Sequence, residues 1–435
     1  MKLHRSTAAV AMTAAALCWL AAPEAQAGDH KAGDSKADVI IEWNQILQAN
    51  IPSTAGILTP RYYAMMHVAM YDAVNAIERS YSPYRVQMHA PAGASAQAAA
   101  AQAARDVLVA LIPASQPVFD AALKARLAKI PGGPAQLGSR VGHKVAAGIV
   151  AWRQGDGSSN PAPAYVLPAL PGLWQPTPPA FQSATLPQVG DIEPFALLTP
   201  TQYLPRRPPT LTSEQYAADL NEVKALGSAT NSARSAEQTL LARLFAPSGY
   251  RTQHWAVWNN VARDVSQRKS WSLVDTARLF ALVNVSIHDG LQTAHNSKYV
   301  YGLWRPVTAI QRADEDLNPS TDADPAWTPL ITTPPYPSHS SNQTCVGVSA
   351  ARALARAFKT GAIGFKVTWL GVPPTADVTR SYVSFWQLAE DQARSRVYAG
   401  IHFTFELTAS QESCQQVADY VFENTMRPRT GGAFD

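Results

Sequence analysis

Lys298 and Arg305 stand seven residues apart in Lys298-Tyr-Val-Tyr-Gly-Leu-Trp-Arg305-Pro306, and Arg396 and His402 bracket Ser395-Arg396-Val-Tyr-Ala-Gly400-Ile-His402. Between them lies Pro334-Pro-Tyr-Pro-Ser-His339-Ser-Ser-Asn342-Gln343. Lysine supplies a point charge and arginine a planar fork that matches the oxygens of a phosphate-like group. Histidine adds a nitrogen that attacks or ligates. Three cations and a histidine, set among Pro, Ser and Gly, read as a preorganised cage for a phosphate-sized oxyanion.

The elements that must position these groups are helices and their ends. On one continuous helix, Lys298 and Arg305 would lie two turns apart on nearly the same face, with Pro306 at a break. Tyr299, Tyr301 and Trp304 would wall the cage and exclude water. Arg396 falls at the end of a predicted helix, and Gly400 lets the backbone turn so that His402 aims back toward the arginine. A neutral imidazole facing three cations and an oxyanion is an in-line nucleophile for phosphoryl transfer or an axial ligand for vanadate.

K-x6-R-P and S-R-x-x-x-G-x-H resemble the first and third motifs of the vanadium-dependent haloperoxidase and type 2 phosphatidic acid phosphatase superfamily. The resemblance extends to Ala277-Arg-Leu-Phe-Ala-Leu-Val-Asn-Val, to Trp-Arg-Pro-Val-Thr-Ala-Ile from Trp304, and to the early Met-His-Val-Ala-Met-Tyr-Asp-Ala-Val-Asn helix. It points to the bacterial haloperoxidase-like branch. It implies an all-α helical bundle in which Lys298, Arg305 and Arg396 bind oxyanion oxygens and His402 holds vanadate or becomes the phosphohistidine.

The middle motif departs from the family's P-S-G-H. A gapless match places Ser340-Ser341-Asn342-Gln343 on it, leaving Ser341 and the Asn342 N–H as oxygen binders at a helix start, a natural anion site. Gln343 then holds the acid/base position and cannot donate a proton at neutral pH. A match with one deletion, Pro337-Ser338-His339, keeps His339 as the acid/base. General acid–base help is worth about 10²–10⁴-fold, so its loss would leave binding intact and catalysis weak.

The remaining sequence sets the frame. With 46% hydrophobic and 16% charged residues, the chain has the makings of a sizeable core and not of a disordered polymer. A net charge of +4 over 435 residues is too small to point to nucleic acid. Residues 1–27 read as an export signal, with a basic start, an apolar run from Ala8 to Ala22 and a small-x-small cleavage site ending at Ala27. The mature protein is expected in the periplasm or outside the cell, with no membrane span. Residues 28–38 read as a flexible lead-in and 39–435 as a single all-helical domain.

Predicted helices include Val39–Asn50, one opened by Thr59 as cap and Pro60, Leu273–Asn296, Ser341–Phe358, Ala376–Tyr398 and Thr408–Met426. No alternating strand pattern stands out. Residues 160–209, rich in proline and aromatics, read as an ordered excursion shaping a cavity mouth. His67 and Asp72 read as hydrogen-bonded core residues. His288 and His295, with Asp289, lack further ligands at a recognisable metal spacing. Cys345 and Cys414 either pair or stay as buried thiols.

The leading expectation is vanadate-dependent oxidation of halide by hydrogen peroxide. The alternatives are a phosphomonoesterase acting on a phosphate ester through a phosphohistidine, and a catalytically weak oxyanion-binding homologue whose acid/base histidine is replaced by Gln343.

Overall fold

The computed structural model describes residues 38–246, 254–269, 271–372 and 376–429. The predicted export signal and residues 28–37 of the lead-in lie outside the described residues. The described chain is built almost entirely from helices: α1 (Asp38–Asn50), α2 (Thr59–Glu78), α3 (Ala96–Leu111), α4 (Gln116–Leu127), α5 (Gly132–Arg153), α6 (Glu214–Gly227), α7 (Ala236–Leu244), α8 (His254–Gln267), α9 (Leu273–Tyr301), α10 (Pro306–Gln311), α11 (Asn342–Phe358), α12 (Phe385–Tyr398) and α13 (Thr404–Asn424). The expected all-α bundle is what the chain forms.

Helix α9 is the axis of the site. Ser272 caps it by accepting from the Asp275 N–H, and Gly302 ends it in the left-handed conformation at φ 60°. Nearly every residue from Leu273 to Ser297 is buried, as expected of a helix apolar on all sides and packed against α2, α11 and α13. Several boundaries differ from the sequence reading. Helix α2 is capped at Leu58, so Thr59 and Pro60 both lie inside its first turn. Helix α9 runs on to Tyr301, past the predicted end at Asn296, and α13 begins at Thr404 instead of Thr408.

One element was missed. Phe365–Val372 (β1) pairs antiparallel with Ala376–Tyr382 (β2), where the sequence reading had no strand and began a helix at Ala376. The reason is a strict two-residue period: Phe365, Val367 and Trp369 are buried while Lys366, Thr368 and Leu370 face out. Helix α12 starts only at Phe385, capped by Ser384.

The proline-rich excursion is laced along one stripe of α9. Asp289 accepts the N–H groups of Phe195, Ala196 and Leu197 at 2.8, 2.7 and 3.1 Å. Gln292 donates to Ile192 O, Asn296 to Gly190 O and the Tyr299 hydroxyl to Thr185 O. These side chains recur every three or four residues, so a single helix face supplies the partners that irregular backbone needs.

Helices α1–α2 and α8–α9 carry corresponding residues. Trp43-Asn44 matches Trp258-Asn259, and His67 with Asp72 matches Asn284 with Asp289. The matched amides meet in one buried network. Asn44 donates to Asn259 at 2.7 Å and pairs with His67 Nε2 at 2.8 Å, and Asn259 and Asn284 exchange bonds at 3.0 Å. Asp72 repeats the role of Asp289, accepting from the N–H groups of Tyr84, Arg85 and Val86. Burial pushes His67 down to about 3 and Asp72 up to about 6; both are core groups, Asp72 satisfied by the three backbone N–H groups and His67 bonded through Nε2 with its Nδ1 left without a partner.

Candidate active site

Four turns and helix ends converge at the C-terminal end of α9. Lys298 lies in the last turn of that helix, but Arg305 does not continue it. The left-handed Gly302 reverses the chain, and Arg305 becomes the residue before α10. The two cations therefore meet across a turn and not along a helix face, which corrects the sequence reading. The turn is held by the excursion: the Trp174 N–H donates to Gly302 O at 2.8 Å and the Trp304 N–H to Gly172 O at 2.9 Å. Lys298 Nζ and the Arg305 guanidinium carbon stand 5.2 and 4.9 Å from the centre of the Tyr336 ring, which floors both.

Arg396 comes from the last turn of α12, and Gly400 at φ 78° turns the chain so that His402 faces back. His402 Nε2 is 3.4 Å from Arg305 Nη1, which also donates to Ile401 O at 2.9 Å. Lys298 Nζ donates to Ser338 O at 2.8 Å and to Ser340 O. Arg396 Nη1 donates to Phe245 O at 2.7 Å, and Gln343 Nε2 shares that acceptor at 3.0 Å. Lys298, Arg305, Arg396 and His402 are thus brought together, with Gln343 beside the second arginine.

Helix α11 starts at Asn342 with Ser341 as its cap, the position the gapless match assigns it. The Ser341 N–H donates to Ser410 Oγ at 2.9 Å, and Ser341 Oγ accepts from Thr344. The first N–H groups of α11 have no acceptor within the helix, so they offer donors to an anion. His339 lies outside the helix. Its Nε2 donates to Arg206 O at 2.8 Å and its ring packs against Tyr301 and Phe405. Burial, offset in part by the Arg206 carbonyl, holds it down at about 4, and its Nδ1 is buried without a partner.

Two residues at the site were not assigned to it from the sequence. Glu406, one helical turn beyond His402, lies 2.6 Å from its Nδ1 and also accepts from the Phe403 N–H and Ser338 Oγ. A carboxylate oxygen with these partners accepts, so Nδ1 carries the proton and Nε2 presents a lone pair to the cations. The i,i+4 spacing of His402 and Glu406 was the available signal. His295 is the second: its Nε2 donates to Leu186 O at 3.0 Å and its Nδ1 meets Asn342 Nδ2 at 3.3 Å. His288 serves the excursion instead, with Nδ1 at 3.0 Å from Asp289 and its ring against Phe195.

The electrostatics are one-sided. Lys298, Arg305 and Arg396 are at most 2% exposed, and none forms an ion pair among the described residues. Burial, with the neighbouring arginine charges, holds Lys298 well below the usual ammonium range and Arg396 at about 10. His402 is held well below its ordinary value by burial and by the same three cations. Glu406 is the buried acid that faces them, pushed by burial up to about 7. Arg305 Nη2 is buried with no partner. Buried, uncompensated charge is expensive unless an anion completes the site, so the donor set fits a tetrahedral oxyanion such as vanadate or phosphate.

Comparison with known proteins agrees with this architecture. Residues 278–431 match the family model for the second helical-bundle domain of vanadium chloroperoxidase. Over 185 residues, 32% of this chain, the sequence is 26% identical to the vanadium chloroperoxidase of Curvularia inaequalis, and the match spans 29% of that protein's length. The fold superposes on a bacterial vanadium-dependent iodoperoxidase with a TM-score of 0.74, at 23% identity over 90% of this chain and 97% of that one. It superposes on a holo-type bacterial vanadium-dependent chloroperoxidase with a TM-score of 0.68, at 14% identity over 87% and 97% of the two chains. No described helix is long and apolar enough to cross a membrane. Residues 278–431 are thus similar to the second helical-bundle domain of vanadium chloroperoxidase, and the described fold is the helical bundle seen in bacterial vanadium-dependent haloperoxidases.

Proposed function

We propose that this chain is a vanadate-dependent haloperoxidase-like enzyme that uses hydrogen peroxide to oxidise halide. The observation that carries the reading is three buried, unpaired cations grouped around a histidine whose bare Nε2 faces them. Lys298, Arg305 and Arg396 would hold the oxyanion's oxygens, Ser341 and the Asn342 and Gln343 N–H groups would take the side toward α11, and His402 Nε2 would hold the vanadium. Vanadate, when bound, supplies a Lewis acid that activates peroxide without changing oxidation state.

The chain's own work is electrostatic and positional. Glu406 fixes the His402 tautomer and strengthens its Nε2 as a donor of electrons. The cations neutralise charge on the oxyanion, and Tyr336 and the excursion shield it from bulk water, where the same contacts would be weaker. Gln343 carries no titratable proton, and His339, whose Nε2–H is given to Arg206 O, offers a bare Nδ1 that can accept a proton but not donate one. The Cys345–Cys414 disulfide, with Cα atoms 5.3 Å apart, supports export to an oxidising compartment.

The same bare Nε2 suits attack on a phosphate ester, but that route needs a proton for the leaving oxygen, and His339 Nε2 is already given to Arg206 O. A weakly active oxyanion-binding homologue is the outcome if neither Gln343 nor His339 supports turnover. The deciding experiment is halide oxidation by the purified protein with peroxide, with and without orthovanadate, for wild type and His402→Ala. Vanadate-dependent turnover that disappears in the variant is expected. Turnover that persists in His402→Ala would overturn the assignment, and phosphate release inhibited competitively by vanadate would favour the esterase.

A further inference from the structure

We propose that Asn342 and Gln343 make this cage selective for an oxyanion that carries a hydroxyl group, such as phosphate or vanadate, over one that carries none, such as sulfate. The inference rests on the oxyanion-cage reading above and adds a specificity device to it.

The logic begins at Leu186, in the excursion. Its carbonyl oxygen can only accept, so His295 Nε2, at 3.0 Å, carries the ring proton and Nδ1 is bare. A bare Nδ1 requires a donor, which fixes the Asn342 amide with Nδ2 toward His295 at 3.3 Å. Asn342 Oδ1 is left buried and without a partner. Gln343 repeats the pattern. Phe245 O fixes its Nε2 at 3.0 Å, and its Oε1 is likewise buried and partnerless. The two residues are at most 8% exposed.

Both amides belong to the first turn of α11, whose N–H groups open on the site. Gln343 lies beside Arg396 through the shared Phe245 carbonyl. Asn342 is tied to His295, one helical turn before Lys298. Acceptor oxygens thus stand among the donors of an anion site, with orientations set by groups outside it. An oxyanion with no proton meets these oxygens as like against like and leaves them unpaired. An oxyanion with a hydroxyl donates to one of them. An unpaired buried acceptor is worth roughly ten- to a hundredfold in affinity.

The test is calorimetric titration of the purified full chain at pH 7 with phosphate, vanadate and sulfate, for wild type, Asn342→Gly and Gln343→Ala, with circular dichroism to verify folding. Wild type is expected to prefer phosphate to sulfate by at least tenfold. Each folded variant should bind sulfate more tightly and narrow the preference. Equal affinity for phosphate and sulfate in wild type overturns the inference while leaving the cage intact. An unchanged ratio in both folded variants overturns the assignment to these residues, and if one variant does not fold, the other decides. Failure of wild type to bind any of the three anions overturns the cage reading and this inference with it.

Discussion

Gly400 and Gly227 meet through their backbones: a Cβ on Gly400 would stand 2.4 Å from Gly227 O and 2.9 Å from Pro329 Cβ. The turn that aims His402 at the cations is therefore pinned from outside by the end of α6. Gly400 also has φ 78°, which an L side chain adopts with difficulty.

Gly400→Ala is accordingly expected to lower stability by about 2–4 kcal/mol and to displace His402. Denaturant unfolding with phosphate titration checks this. Wild-type stability together with wild-type phosphate affinity would show that the turn tolerates a side chain.

Glu406→Gln keeps an acceptor for His402 Nδ1 but removes the charge. Its carboxyl is raised by burial to about 7, above an ordinary glutamate, so its stabilising contribution is present at low pH and is lost as pH rises through 7. The ionised form is the one that strengthens His402 Nε2. The advantage of wild type over Glu406→Gln in oxyanion affinity should grow from pH 6 to pH 8, about tenfold at most, while the variant's unfolding free energy should fall less than wild type's over the same range. Parallel pH profiles for the two proteins would contradict the assignment.

Asp289→Ala should leave the Phe195, Ala196 and Leu197 N–H groups buried without an acceptor, at a loss of about 3 kcal/mol or more. Thermal unfolding measures the loss. Protease cleavage within residues 160–209 should appear in the variant before it appears in wild type.

Cys345 lies one turn into α11 and Cys414 in α13, so their disulfide joins the helix that starts at Asn342 to the helix that carries Glu406. The chain between them spans 69 positions, and loop-closure entropy predicts a loss of about 4 kcal/mol for Cys345→Ala with Cys414→Ala. A melting temperature that falls in the double variant, and in reduced wild type by a similar amount, is the expected result.

The parts of the site written in short segments were readable from the chain. Lys298 to Arg305 and Arg396 to His402 each bring their charges together through one local turn, at Gly302 and Gly400, and local turns leave local signals. Reading Lys298 and Arg305 as one helix face overlooked that Gly302 is a helix stop. The β1–β2 hairpin was also visible as an alternation of Phe365, Val367 and Trp369, but its second strand was read as the start of a helix at Ala376. The orientation of Asn342 was not legible, because it passes through His295 to Leu186, more than a hundred positions upstream. Such a relay exists only once the excursion lies along α9.

The correspondence between the α1–α2 and α8–α9 pairs has a practical side. The spacing that matches Asp72 with Asp289 sets Tyr81 opposite Lys298, but α2 stops at Glu78, short of that position, while α9 runs through it. The protein therefore contains a twin of its own scaffold that shares the asparagine network and the carboxylate strap but has no lysine at the end. Damage common to both pairs belongs to the helical frame, and damage confined to the second belongs to the chemistry.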